Sequence, residues 1–239
     1  MLAIWGILQE YFIPFLAATG ITLRLTVVSL AMAMAIGLVF GFLKLSRNRV
    51  LSAIANAYIS IIRGTPLVVQ LMFLYFGITS IVVLSSFWAG SLALAIHAGA
   101  YIAEIFRGAI QSIDRGQMDA ARSLGMSHWL AMRRIILPQA FRRAVPPLGN
   151  QFIIGLKDSS LIAYLGVQEL YGTALAAQAA NFLPFETYLV AGLYYLVLVL
   201  IFSVLVSRLE ARLNKPSRLE PRLEPAKGGA QHDPAARTA

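Results

Sequence analysis

The stretch TGITLRLTVVSLAMAMAIGLVFGFL, residues 19–43, decides the class of this fold. It carries one charge, Arg24, and as a helix at 1.5 Å per residue it would reach about 37 Å, more than the roughly 30 Å of a bilayer's hydrocarbon. Four further apolar stretches approach the same length, at residues 66–84, 87–106, 145–165 and 188–206. The composition agrees: 58% of the 239 residues are hydrophobic and 13% charged, which excludes an ordinary soluble globule and points to an all-α integral membrane protein of about five transmembrane helices.

Working outward, Leu51, Ile54, Ala55, Tyr58, Ile61 and Ile62 repeat at helical spacing ahead of Arg63-Gly64-Thr65-Pro66. This reads as an amphipathic lead-in lying at the interface, or as the first turns of a longer second span. The first eighteen residues lack a basic start and a small-residue cleavage site, so they do not read as a signal peptide.

The basic residues set the orientation. One set of loops holds Lys44, Arg47, Arg49 and Arg63, then Arg107, Arg115, Arg122, Arg133, Arg134, Arg142 and Arg143, and finally the tail from Arg208. The opposite stretches carry Glu10, Glu169 and Glu186 with no lysine or arginine. Positive loops stay inside, so the amino terminus is expected outside and the carboxyl terminus in the cytoplasm. The net charge of +9 is then mostly a topology signal and not a nucleic-acid surface. With no cysteine and with His97, His128 and His232 scattered, neither disulfide nor metal chemistry is expected. After Asn214 the repeats Arg218-Leu219-Glu220-Pro221 and Arg222-Leu223-Glu224-Pro225 prevent a stable helix. Residues 1–213 therefore read as the transmembrane domain and 214–239 as a disordered cytoplasmic tail.

Between the third and fourth spans lies a polar island, Gly116-Gln117-Met118-Asp119-Ala120-Ala121-Arg122-Ser123-Leu124-Gly125, followed by Pro138. A short helix over 115–124, a break at Gly125 and a second helix over 127–136 stopped by Pro138 are expected, because glycine ends a helix in the left-handed conformation and proline restarts one in its first turn. Ala120 and Ala121 would let this helix approach a partner closely.

With its spacing included, Asp119-Ala120-Ala121, three residues, Gly125, nine residues and Ile135-Ile136-Leu137-Pro138 resembles the EAA loop of ABC importer permeases, with aspartate in place of the first glutamate. Arg63-Gly64-Thr65-Pro66-Leu67 with Gln70, the run from Ala100 to Gly108, and Lys157-Asp158-Ser159-Ser160-Leu161 are similar to elements of the polar amino-acid branch of that family. The resemblance implies a type I importer permease fold in the cell (inner) membrane. It implies that the loop at about 115–138 is a coupling element docking on a cytoplasmic ABC ATPase through Asp119, Ala120, Ala121, Leu124, Gly125 and Pro138. It also implies a second copy or homologue of the permease and an extracytoplasmic amino-acid-binding protein as partners. The chain contains no GxxxxGK[ST] phosphate loop, so it is not expected to be an enzyme or to hold a cofactor; ATP and magnesium belong to the partner ATPase.

Ionisable residues at membrane depth are costly and tend to line cavities. Lys157 and Asp158 lie about 18–20 Å from the inner end of the fourth span at 1.5 Å per residue and point about 100° apart. Asp158 could meet a substrate ammonium, with Lys157 or freed backbone amides meeting the carboxylate; a structural ion pair between spans is the alternative. Ser159 extends this polar patch. Glu104, one turn from Arg107, could reach a substrate or pair with Arg107 or Arg63. Gln70 and Tyr101 could line the same cavity or simply pack between helices. The function these readings favour is ATP-driven import of polar amino acids by alternating access. An ion- or proton-coupled secondary transporter, with Glu104, Lys157 and Asp158 as a relay, is the alternative; it calls for inverted repeats that five unequal spans do not supply.

Overall fold

The computed structural model describes residues 2–79 and 81–213, and all regular elements among them are helical. In chain order they are α1 (Leu2–Glu10), α2 (Phe12–Lys44), α3 (Arg49–Gly64), α4 (Leu67–Thr79), α5 (Ser86–Gln111), α6 (Arg115–Ser123) and α7 (His128–Ala131). A π-helical turn at Met132–Ile136 leads into α8 (Leu137–Asp158), which passes into a 3-10 segment at Ser159–Leu165; α9 (Leu170–Asn181) and α10 (Pro184–Leu213) follow. The expected tail, 214–239, lies outside the described residues.

α2, α5 and α10 are each long and apolar enough to cross a membrane. α3 and α4 qualify together as one passage bent by 110°. The expected fourth passage, residues 145–165, is divided: it falls on the second half of α8 and on the 3-10 segment, and α8 does not meet the apolarity of the other three. Lys157 and Asp158 therefore occupy the last turn of an α-helix and not the middle of a continuous span. Short helices not anticipated from sequence, α1 and α9, fill the ends.

The bend between α3 and α4 follows from local chemistry. Asn48 caps α3 by accepting from the Val50 amide (2.9 Å). Pro66 then forces its predecessor out of the helical region, and Thr65 is extended at φ −122°, ψ 148°.

α5 is the centre of the fold, packed against α2, α3, α4 and α8. Of its most apolar window 67% is buried, against 17% for α10. Small residues bring α2 and α5 together: Gly37 lies against Ile102, and a Cβ on Gly41 would stand 3.2 Å from the Ala103 carbonyl oxygen. At the C-terminal end of α5, Ala109, Ile113 just beyond the helix, Ile136 of the π turn and Ala140 of α8 share one buried cluster, against which Met118 of α6 packs. The expected second helix, 127–136, does not stop at Pro138. The chain stays helical, with the π turn widening the ladder just before the proline, whose missing amide costs nothing in the first turn of α8.

Candidate functional site

Ionisable and polar groups gather in three places: the α3–α4 bend, the junction of α2, α5 and α8, and the C-terminal ends of α2 and α5.

At the bend, Pro66 has no amide, so the Ile62 carbonyl loses its normal helical donor. Gln70 replaces it: its Nε2 donates to Ile62 O (2.7 Å), Thr65 O (3.0 Å) and Thr65 Oγ1 (2.7 Å). Its Oε1 faces His97 Nδ1 at 2.9 Å. Gln70, 8% exposed, is thus a brace tying the bend to α5, with both ends of its amide engaged. Tyr101 lies one turn beyond His97, their ring centroids 5.2 Å apart, and the Arg63 guanidinium sits over the Tyr101 ring at 5.3 Å. Arg63 is therefore occupied by an aromatic face and not by Glu104.

At the junction, Thr26 and Ser29 of α2, His97 of α5, and Gln151 and Asp158 of α8 line a narrow cavity. Ser29 Oγ is buried with no hydrogen-bond partner among the described residues. Asp158 caps no helix and enters neither of the two ion pairs found among the described residues. Its sequence neighbours diverge. Lys157 is exposed and Ser159 is fully buried, its hydroxyl donating to Leu156 O (2.8 Å) across the change from α to 3-10 helix. Of the patch expected around residues 157–159, only Asp158 reaches the cavity.

At the C-terminal ends of α2 and α5, Glu104 accepts from Lys44 Nζ (2.5 Å) and from Arg107 Nη2 (2.9 Å) and Nε (3.1 Å). The pairing with Arg107 matches expectation; Lys44 was expected only as a topology residue. Both carboxylate oxygens are taken, so Glu104 clamps α2 to α5 and stands apart from Asp158. The six expected substrate contacts therefore separate into one group at the cavity (Asp158, with Gln70 and Tyr101 linked to it through His97) and three residues elsewhere (Glu104, Lys157, Ser159).

The loop between α5 and α8 is built by its caps. Asp114 accepts from the Gly116 amide (2.8 Å) to start α6. Gly125 at φ +80° ends it, with the Met126 amide on Ala121 O (3.1 Å) and the Gly125 amide on Arg122 O (3.0 Å), a Schellman closure. Asp119, Ala120, Leu124, Gly125 and Pro138 are exposed, Leu124 at 83%. Ala121 is not: at 2% exposure it faces the chain's own interior, so its small size seats α6 on the core and cannot serve a direct docking contact.

Two features went unread in the sequence. Thr22, Thr26 and Ser29 form a buried polar stripe at i, i+4 and i+7 along one face of α2, a spacing that could have exposed it. Glu169, taken for a loop acid, is fully buried. It accepts from the Gly172 amide (2.7 Å), from the Tyr195 hydroxyl (2.6 Å) and, at 3.4 Å, from the Thr22 hydroxyl, joining α2, α9 and α10.

Comparison with known proteins fits this architecture. Residues 33–215 match the family described as "Binding-protein-dependent transport system inner membrane component". The chain is 41% identical over 195 residues to the glutamine transport system permease protein GlnP of Escherichia coli (strain K12), covering 80% of this chain and 89% of that one. It is 38% identical over 204 residues to the arginine transport system permease protein ArtQ of Bacillus subtilis (strain 168), covering 84% and 93%. Among solved structures, an amino acid ABC transporter with histidines superimposes with a TM-score of 0.81 at 40% identity, over 86% of this chain and 96% of that one. The MetNI methionine ABC transporter in inward-facing form shares the fold at a TM-score of 0.76 and 20% identity, over 87% and 99%. A helical chain with a bent second passage, a capped loop between α5 and α8 and these relatives is a multi-pass inner-membrane permease subunit of an ABC importer, and belongs to the binding-protein-dependent transport system inner membrane component family.

Proposed function

We propose that this chain imports polar amino acids, in partnership with a cytoplasmic ABC ATPase that holds ATP and magnesium. A second permease subunit, identical or homologous, completes the pathway, and an extracytoplasmic binding protein delivers the substrate. The amino terminus lies outside and the carboxyl terminus inside. The observation that carries the reading is the two-sidedness of α6. Its inner face carries Met118, packed against the cluster that joins the end of α5 to the start of α8, and the buried Ala121, while Asp119, Ala120 and Leu124 stand out in solvent. A push on the outer face is passed to α5 and α8, two of the three helices that line the Asp158 cavity, which is what alternating access driven by an ATPase requires. The relatives named for glutamine and arginine support amino acids as the substrate class.

The test is reconstitution in liposomes with the candidate ATPase. Amino-acid uptake should follow ATP, and Leu124→Asp should weaken ATPase association about tenfold while the spans stay folded. Uptake driven by an ion gradient without any ATPase would overturn the reading in favour of a secondary transporter.

A further inference from the structure

A separate cavity, of ≈ 220 Å³, lies where α2 and α5 end and α8 begins, and every residue lining it is apolar. Its floor is made of buried residues, two of them small: Gly41 of α2 and Ala140 of α8, beside Phe106 of α5. Leu38, Phe42 and Phe141, which are 37%, 47% and 56% exposed, frame its mouth. Protein interiors rarely leave such a space unfilled, and an apolar cavity of about 150 Å³ already stays dry and takes benzene, so water is not its occupant. The level of the cavity in the membrane says more. α2 is apolar enough to cross the bilayer, and its residues 38–42 lie about 3–9 Å short of Lys44 along the helix at 1.5 Å per residue, the depth of acyl chains just beneath the headgroups. The surroundings are basic. Arg133 and Arg134, a turn before Leu137 of the lining, and Arg142, next to Phe141, are exposed and have no hydrogen-bond or ion-pair partner among the described residues. Lys44, Arg107 and Arg143, by contrast, are spent within the fold, the first two on Glu104 and the third on Ser112. No acidic residue occurs between Asp119 and Asp158 to answer the free arginines.

We propose that this cavity is a binding site for an anionic phospholipid, with one acyl chain lodged against Gly41 and Ala140 and the headgroup held by Arg133, Arg134 and Arg142. The lipid belongs to the leaflet that meets the C-terminal ends of α2 and α5, the cytoplasmic one in the orientation proposed above; the site goes beyond the import reading and needs no transported substrate. At bilayer depth an empty apolar cavity forfeits contacts on every wall, and a chain entering from the surrounding hydrocarbon restores them. Shape alone would admit any phospholipid. Charge makes the choice, because a zwitterionic headgroup carries its own cation beside the phosphate, whereas an anionic one leaves its charge for the arginines. Each arginine near the headgroups is worth about a fivefold preference. Phe106 and Ala140 also belong to the buried cluster against which Met118 of α6 packs, so a bound chain braces the joint that carries α6.

The experiment uses the full permease–ATPase complex in phosphatidylcholine nanodiscs containing phosphatidylglycerol with a photoactivatable diazirine in one acyl chain. Label should map to residues 38–42 and 137–141 and saturate as the mole fraction of the probe rises. The same chain carried on phosphatidylcholine should label these segments at least tenfold less. Leu38→Trp, which fills the mouth from an exposed position, should abolish the labelling while the ATPase stays bound. Arg133→Gln combined with Arg134→Gln should weaken the phosphatidylglycerol titration about twentyfold, two factors of about five, and leave labelling by phosphatidylcholine as it was. Equal labelling by the two lipids, label spread evenly over α10 as well, or labelling unchanged in Leu38→Trp overturns the proposal. No labelling of either segment, the result if a second permease subunit or the ATPase covers the cavity, overturns it too. Absence of ATP-driven uptake alongside intact, selective labelling would instead overturn the importer reading and leave the lipid site standing.

Discussion

α2 contributes to two buried polar clusters one turn apart, and they are settled in opposite ways. At Thr22 the cluster is closed: Glu169 receives the Gly172 amide and the Tyr195 and Thr22 hydroxyls, and the Thr22 oxygen itself accepts from the Leu170 amide (3.1 Å). At Thr26 and Ser29 it is open, with Ser29, His97 Nε2 and Asp158 lacking hydrogen-bond partners among the described residues. Burial penalises an unpaired polar group wherever it lies. A closed cluster repays that penalty within the fold and works as a structural tie. An open one leaves it standing until something else binds, which is the property of a site.

The difference can be broken by mutation. The largest effect is expected for Glu169→Ala, which strands the Tyr195 hydroxyl and the Gly172 amide in the interior and should cost about 3 kcal/mol in detergent-solubilised unfolding. Stability equal to wild type would mean that the closed cluster ties nothing. Asp158→Asn should leave unfolding within about 1 kcal/mol and lower ATP-driven uptake about tenfold, since the carboxylate has no hydrogen-bond or ion-pair partner among the described residues to lose; wild-type uptake would move Asp158 into the structural class. The smallest effect sharpens the contrast furthest. Ser29→Ala should leave stability unchanged or raise it by up to about 1 kcal/mol, because it removes an unsatisfied hydroxyl, and a clear destabilisation would show that Ser29 has a structural partner after all.

Where local chemistry decides, the cause lies in the sequence nearby, even at residues 51–66, which read equally as an interfacial lead-in or the first turns of a longer span. Pro66 bends the second passage because its ring displaces Thr65 and deprives Ile62 of a donor, both effects within four residues. Gly125 ends α6 for an equally local reason. By contrast, Lys44 meets Glu104 across 60 residues and Thr22 meets Glu169 across 147, and nothing in the neighbourhood of either residue announces the other. Ala121 was misjudged for the same cause: smallness is visible in sequence, but the side of the helix that needs it is set by what packs there.

The amino-acid sequence alone determined the membrane setting, the break at Gly125 and the family likeness, because hydropathy, glycine geometry and motif spacing act over a turn or two of chain. Only the tertiary structure decided which polar residues are spent on the fold and which remain open. Gln70, Glu104 and Ser159 look as functional as Asp158 when read in line; the partners brought to them by helix packing, or withheld in the case of Asp158, Ser29 and His97 Nε2, distinguish brace from binding site.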